Sequence, residues 1–130
     1  MLIFTSDPPS IMSLSVENRF VLHDLFHMAE HQDQIPWTPF REGIEVHWIY
    51  KEAGEGPSAA LLRFQPGAKV AWHEHGGFEH ILVLSGSQAD EHGGVSAGSL
   101  MVHRPGSGHS ITSEEGCIVL AIYEKPVRFL

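Results

Sequence analysis

Three residues of metal-binding type stand close together between Gly67 and Gly86, in GAKVAWHEHGGFEHILVLSG. His73 and His75 are two apart, and Glu79 follows. On a β-strand residues i and i+2 share a face, so both imidazoles can reach one ion from the same strand. Gly76-Gly77 reads as a hairpin turn, which is expected to bring Glu79 back beside them on the returning strand. Two neutral imidazoles and a carboxylate suit a borderline divalent ion such as Zn, Fe, Mn, Ni or Cu.

The elements that must hold these residues read as strands. Ile44 to Lys51 alternates, with Val46, Trp48 and Tyr50 expected on one face and Glu45, His47 and Lys51 on the other. Ala59 to Gln65 is a strand stopped by Pro66-Gly67, and Lys69 to Glu74 and Glu79 to Leu84 are the arms around the histidines, the second expected to end at Gly86. Asp90 to Gly98 carries three glycines and reads as tight turns. Ser99 to His103, His109 to Ser113 and Cys117 to Glu124 are the last strands, before an apolar tail at Val127 to Leu130. Further upstream, an extended stretch near Arg19 to Asp24 with a helical turn after it is expected. Short strands separated by Gly or Pro turns, with little helix, predict a single all-β domain, a barrel or double-sheet jelly roll. Residues 15–130 are assigned to it and residues 1–14 to an N-terminal arm, Met12 being a second candidate for initiation.

At 130 residues and 42% hydrophobic residues the chain can bury a core. A formal net charge of −8 without any Lys or Arg block argues against nucleic acid or an anionic membrane as partner. The N-terminus lacks a basic region and a long apolar one, so no signal peptide is expected, and the longest apolar run, Ile81 to Leu84, is only strand-like. One cysteine, Cys117, cannot form an internal disulfide, which fits a reducing cytoplasm; it is expected to pack as a small apolar residue, a redox-sensing thiol being the sharper alternative. His23, His27 and His31 recur every four residues and could stack on one helical face, though nothing near them offers a convincing fourth ligand. Ile81 to Leu84 is apolar on both faces, so its outward side needs cover: a homodimer is expected, a fold-back of the N-terminal arm being the alternative.

The opening stretch fits G-x5-H-x-H-x3-E-x6-G. HxHxxxE alone arises by chance in roughly one such chain in fifteen, and the two glycines lower that below roughly one in a thousand. Gly98, Gly106 and His109 form a second spaced set, with Pro105 one residue later than the usual pattern. Together they resemble the two signature motifs of the cupin superfamily, and RPGSxH followed by S-x-x-GC resembles the cupin domain of ChrR-type anti-sigma factors, as do Trp37, Pro39 and Gly43. The resemblance covers about residues 35–124. It implies a cupin double-stranded β-helix and one divalent ion, Zn, Fe, Ni or Mn, held by His73, His75, Glu79 and His109. Strand geometry alone supports the first three and does not choose His109 over His80, His92 or His103. His80 should face away from Glu79; His103 shares parity with Ser99 and Met101 and is a candidate supporting donor or proton shuttle. An acidic residue among buried histidines is costly unless paired or metal-bound. Residues 1–34 precede the matched region, too few for that family's σ-binding zinc domain, so its anti-sigma activity does not transfer. The same branch resembles small cupin dioxygenases that cleave β-diketones and hydroxyacetophenones. Two expectations follow: an Fe(II)-type dioxygenase acting on a small carbonyl compound, or a non-catalytic metal sensor or ligand-binding cupin.

Overall fold

The computed structural model describes residues 12–14 and 19–130, so most of the expected arm lies outside the described residues. A two-stranded ribbon pairs β1 (Met12–Leu14) with β2 (Phe20–Leu22). A short helical segment follows, comprising a 3-10 turn at Leu25–His27, α1 (Met28–His31) and a second 3-10 turn at Gln32–Gln34. The rest is β: β3 (Thr38–Arg41), β4 (Ile44–Lys51), β5 (Ser58–Phe64), β6 (Ala68–His75), β7 (Glu79–Asp90), β8 (Gly93–Ser96), β9 (Leu100–His103), β10 (Gly108–Ser113), β11 (Cys117–Tyr123) and β12 (Val127–Phe129). All pairings are antiparallel, in the order β12-β6-β10-β7-β11-β5-β4-β3, with β8 and β9 added to β7. This is the expected all-β jelly-roll barrel with little helix. No helix among the described residues is long and apolar enough to cross a membrane.

The sheet is buried on both sides. Ile44, Val46, Leu62, Phe64, Ile81, Val83 and Val119 fill the inside of the barrel. Outside, Leu61, Leu84 and Ile118 pack against Met28 and Ile35, with Leu25, Leu82 and Trp37 around them. The helical segment is therefore a lid on the outer face, and Met28, fully buried, is its anchor; burying such a side chain is worth about 1.5–3 kcal/mol. It covers the outward side of Leu82 and Leu84 that the sequence left in need of a partner. The expected stack of His23, His27 and His31 does not form a metal cluster among the described residues. His27 and His31 instead both hydrogen-bond Asp24, at 2.6 and 2.8 Å, on the surface.

Three sequence expectations change. First, β6 and β7 do not form a hairpin. β6 pairs with β10 and β12, while the start of β7 pairs with β9 and β11, so the turn through Gly76-Gly77 carries the chain from one sheet to the other. Turn residues specify that the chain bends, not which strand it pairs with afterwards. Second, β7 does not stop at Gly86. Gly86 adopts φ +74° next to a register shift against β11, and the strand continues to Asp90, pairing there with β8 across residues expected to be turns. Third, a bulge between Trp48 and Tyr50 in β4 inverts the alternation. Tyr50 lines an outer groove with Phe78, His80 and Val102, and Lys51 lines the inner cavity.

Gly86 is the tightest of these joints. A Cβ there would lie 2.0 Å from the Gly116 carbonyl oxygen, on a backbone that L-residues rarely adopt. Gly86→Ala is expected to cost more than about 3 kcal/mol. Urea unfolding of the two proteins checks this; a loss below about 1 kcal/mol would show that the joint relaxes cheaply.

Candidate metal centre

Each of three histidines is held by a hydrogen bond from the ring nitrogen nearer the backbone. His73 Nδ1–H donates to the Ala71 carbonyl at 2.9 Å, within β6. His75 Nδ1–H donates to Ser107 Oγ at 2.9 Å, and that hydroxyl donates onward to the Arg104 carbonyl at 2.6 Å. His109 Nδ1–H donates to Asp90 Oδ2 at 2.9 Å, while the His92 amide holds the other oxygen, Oδ1, at 2.7 Å. Burial works against ionising Asp90, but the bonds from His109 and the His92 amide outweigh it and keep the carboxyl below its ordinary range. Fixing the proton on Nδ1 leaves the Nε2 lone pair of each ring for the interior, the arrangement by which proteins orient metal-binding imidazoles.

The rings converge because of register. His109 on β10 is the direct partner of His73 on β6, and strand parity sets His75 on the same face. Ring centroids lie 5.3 Å (His73 to His75), 4.7 Å (His73 to His109) and 4.8 Å (His75 to His109) apart. One ligand atom from each of the three lies within 4.8 Å of the others.

Glu79 arrives from the other sheet, and its Oε2 is 3.3 Å from His75 Nε2. It groups most closely with His75 and His103 rather than with all three other residues of the expected set. His103 is the cross-strand partner of Glu79; its ring stacks on His75 at 4.6 Å and 10° and meets His109 edge-on at 4.5 Å. The parity that set His103 toward the cavity is thus matched, and His80 lines the outer groove as its own parity requires. Cys117 is buried in the barrel core, and burial raises its thiol pKa, as apolar packing requires.

Among the described residues, four buried side-chain atoms have no hydrogen-bond partner: His75 Nε2, His103 Nε2, His109 Nε2 and Glu79 Oε2. Each such atom costs on the order of 1–3 kcal/mol. Imidazole nitrogen and carboxylate oxygen converging in this way are donors that a divalent cation can satisfy, and they fit Zn, Fe, Ni or Mn. Two supporting residues escaped the sequence reading. Asp90 lies beyond the glycine taken as the end of its strand. Ser107 lies within the RPGSxH turn and was legible there as the residue two before His109.

Comparison with known proteins gives the fold a context. Residues 27–127 match the family model of the ChrR cupin-like domain. No curated protein matches the chain. It is similar to an RmlC-like cupin protein of Ralstonia eutropha, at 21% identity over 73% of this chain and 66% of that one, with TM-score 0.66. It is also similar to an acetylacetone dioxygenase of Acinetobacter johnsonii, at 18% identity over 72% and 71%, TM-score 0.67. A third is a chain of the Rhodobacter sphaeroides complex of SigE with the anti-sigma ChrR, at 27% identity over 75% of this chain and 54% of that one, TM-score 0.63. The chain therefore spans just under two thirds of the Ralstonia protein and about half of the chain matched in the SigE–ChrR complex. The likenesses at 21% and 18% identity speak for the fold alone.

Burial makes the metal-free site pH-sensitive. It raises the Glu79 carboxyl from 4.5 to about 8, whereas the unfolded chain ionises near 4.5. The folded state thus holds a proton that the unfolded state has released, and stability falls as pH rises between these values. His75 acts on the acid side: burial, then the charges of neighbouring histidines, lowers it from 6.5 to about 4, so stability is lost as pH falls below 6.5. Glu79→Gln removes the first slope. Chemical denaturation of EDTA-treated protein from about pH 6.5 to 8, above the range in which the His75 contribution changes most, should show stability declining in the native protein and a flatter profile in the variant; equal slopes would contradict the buried-carboxyl account.

Proposed function

The chain belongs to the ChrR cupin-like domain family, and from that footing we propose a metal-dependent dioxygenase acting on a small carbonyl compound. The reading assigns one divalent ion to His73, His75, Glu79 and His109, inside a barrel domain of residues 15–130 preceded by an arm of residues 1–14, in the cytoplasm. The observation that carries it is the convergence of His73, His75 and His109, one ligand atom of each lying within 4.8 Å of the others, with the unpartnered Glu79 Oε2 3.3 Å from His75 Nε2. A bound ion would supply Lewis acidity and open coordination positions for substrate oxygens. The chain's own contributions are separate. Ala71, Ser107 and Asp90 keep the three imidazoles in the Nδ1–H form. His103 Nε2, buried and unpartnered, is the group we assign to take a proton from an acidic C–H of the substrate. Apolar walls around Trp48, Phe64 and Ile81 exclude water.

A second reading, a non-catalytic metal-binding sensor, is favoured by one observation: identity is higher to the SigE–ChrR chain, 27%, than to the acetylacetone dioxygenase, 18%. Metal analysis of protein purified without oxygen, followed by oxygen-uptake assays with acetylacetone and 4-hydroxyacetophenone after Fe(II) loading, separates the two. Uptake that requires Fe(II) supports the enzyme; full zinc occupancy with no uptake after exchange supports the sensor. In either case His109→Ala should lose most of the bound metal and several degrees of melting temperature. Unchanged metal content in that variant would remove His109 from the ligand set.

The homodimer also belongs to this reading. With Leu82 and Leu84 already covered, one apolar patch left outside is Leu100 and Val102 on β9, 59% and 51% exposed, with Phe78 and Ile122 lining the same groove as Val102. Analytical ultracentrifugation should find a dimer that Val102→Asp converts to monomer. A monomeric parent protein at about 100 µM would refute the pairing.

A further inference from the structure

The cavity beside the histidines carries positive charge that the reading above leaves unused. Its volume is about 210 Å³, and its walls include Trp48, Leu62, Phe64 and Ile81. An apolar cavity of about 150 Å³ holds one benzene ring, so this one has room for a single ring and a polar substituent. In a chain with only 8 Lys and Arg against 16 Asp and Glu, two of the cations, Arg41 and Lys51, line this cavity. Neither forms an ion pair or accepts a carboxylate partner among the described residues. The bulge in β4 is what turns Lys51 inward.

Arg41 is positioned by stacking. Its guanidinium carbon lies 4.7 Å from the Phe40 ring centroid and 4.3 Å from that of Phe129. Contact with two aromatic rings supplies no hydrogen-bond acceptor, so the guanidinium N–H groups, which form the fork that binds a carboxylate through two bonds, are not used up by it. Phe129 also packs on the His73 ring at 5.6 Å, so one aromatic side chain touches both the cation and a proposed ligand. Lys51 sits 4.5 Å over the Trp48 ring with its ammonium likewise unpaired among the described residues.

We infer that the cavity selects a small planar monocarboxylate, with its ring against Trp48 and Phe64, its carboxylate on the Arg41 guanidinium, and its opposite end toward His73. This deepens the reading above by naming the substrate class, and it rests on that reading only for the cavity being where substrate sits. A carbonyl compound lacking the carboxylate would leave the guanidinium fork without its acceptor.

The test is calorimetric titration of benzoate and of benzamide, alike in shape and different in charge, into both EDTA-treated and zinc-loaded protein. Benzoate should bind at least about tenfold more tightly than benzamide in both forms, as a charge-assisted double hydrogen bond requires. Arg41→Gln should bring benzoate down to the benzamide level without altering benzamide, and Arg41→Lys should restore part of the difference. A purely structural role for Arg41 would weaken both compounds together and overturns the proposal. Equal binding of the two compounds by the parent protein overturns it, and so does a preference seen only with zinc bound, which would assign the carboxylate to the ion. No heat from either compound up to about 10 mM overturns it as well. Should Arg41→Gln not fold, the parent comparison and Arg41→Lys decide. The titration reads binding without turnover, so a failure of the dioxygenase reading leaves its result intact.

Discussion

The bond from His109 Nδ1–H to Asp90, with its counterparts from His73 to Ala71 and from His75 to Ser107, decides the tautomer of a buried imidazole cluster. Each of these bonds commits the ring's only proton to the outside of the cluster, so the inner nitrogen can only accept. Yet the inner space contains His75 Nε2, His109 Nε2, His103 Nε2 and Glu79 Oε2, none of which is hydrogen-bonded. Without a metal, burial keeps the Glu79 carboxyl protonated up to about pH 8, so one proton is available to this cluster, and each polar atom still unpaired costs about 1–3 kcal/mol. A fold keeps such a cluster converged only if its framework is stiff, and the remaining architecture meets that requirement.

Stiffness comes from distributing the donors over strands that cannot move independently. β6 supplies two histidines, β10 one and β9 one. β7 supplies Glu79 at its start and Asp90 at its end, so one strand carries the carboxylate of the site and the carboxylate that orients His109. It can do so because Gly86 lets it change neighbours, pairing with β11 and β9 on one side of the joint and with β8 and β10 on the other. An ordinary residue there would collide with the Gly116 carbonyl. The glycine that bounds the metal motif is therefore a hinge of sheet topology rather than a terminus.

This explains what was and was not legible in the sequence. Strand parity places His73 and His75 on one face and sends His80 outward, because alternation is a property of the extended backbone itself. His109 is reached only through the resemblance of Gly98, Gly106 and His109 to the second cupin motif, because parity treats His80, His92, His103 and His109 without reference to which strands will pair. Pairing partners are different. Gly76-Gly77 bends the chain in a hairpin and in a crossover alike, and Gly86 with φ +74° serves a turn or a bulge equally well. The bulge near Ile49 has neither glycine nor proline to announce it. It follows from closing the barrel, a long-range condition to which a local pattern is blind. Asp90 was hidden for the same reason.

The cavity also borders the seam between the two ends of the strand path. The strand path ends at β3 on one side and β12 on the other, and no backbone ladder joins them. Unpaired edges invite association with other strands, and proteins cover them with charge, short strands or side chains. Here β3 and β12 are four and three residues long, and the contact between them is the Phe40, Arg41 and Phe129 stack. A seam of side chains can part by rotamer changes, whereas a ladder parts only by breaking backbone hydrogen bonds. The cavity is lined from both edges, by Phe40 and Arg41 on one and Val127 and Phe129 on the other. This seam of the barrel wall thus lies beside His73, and a residue that bridges it, Arg41, carries positive charge.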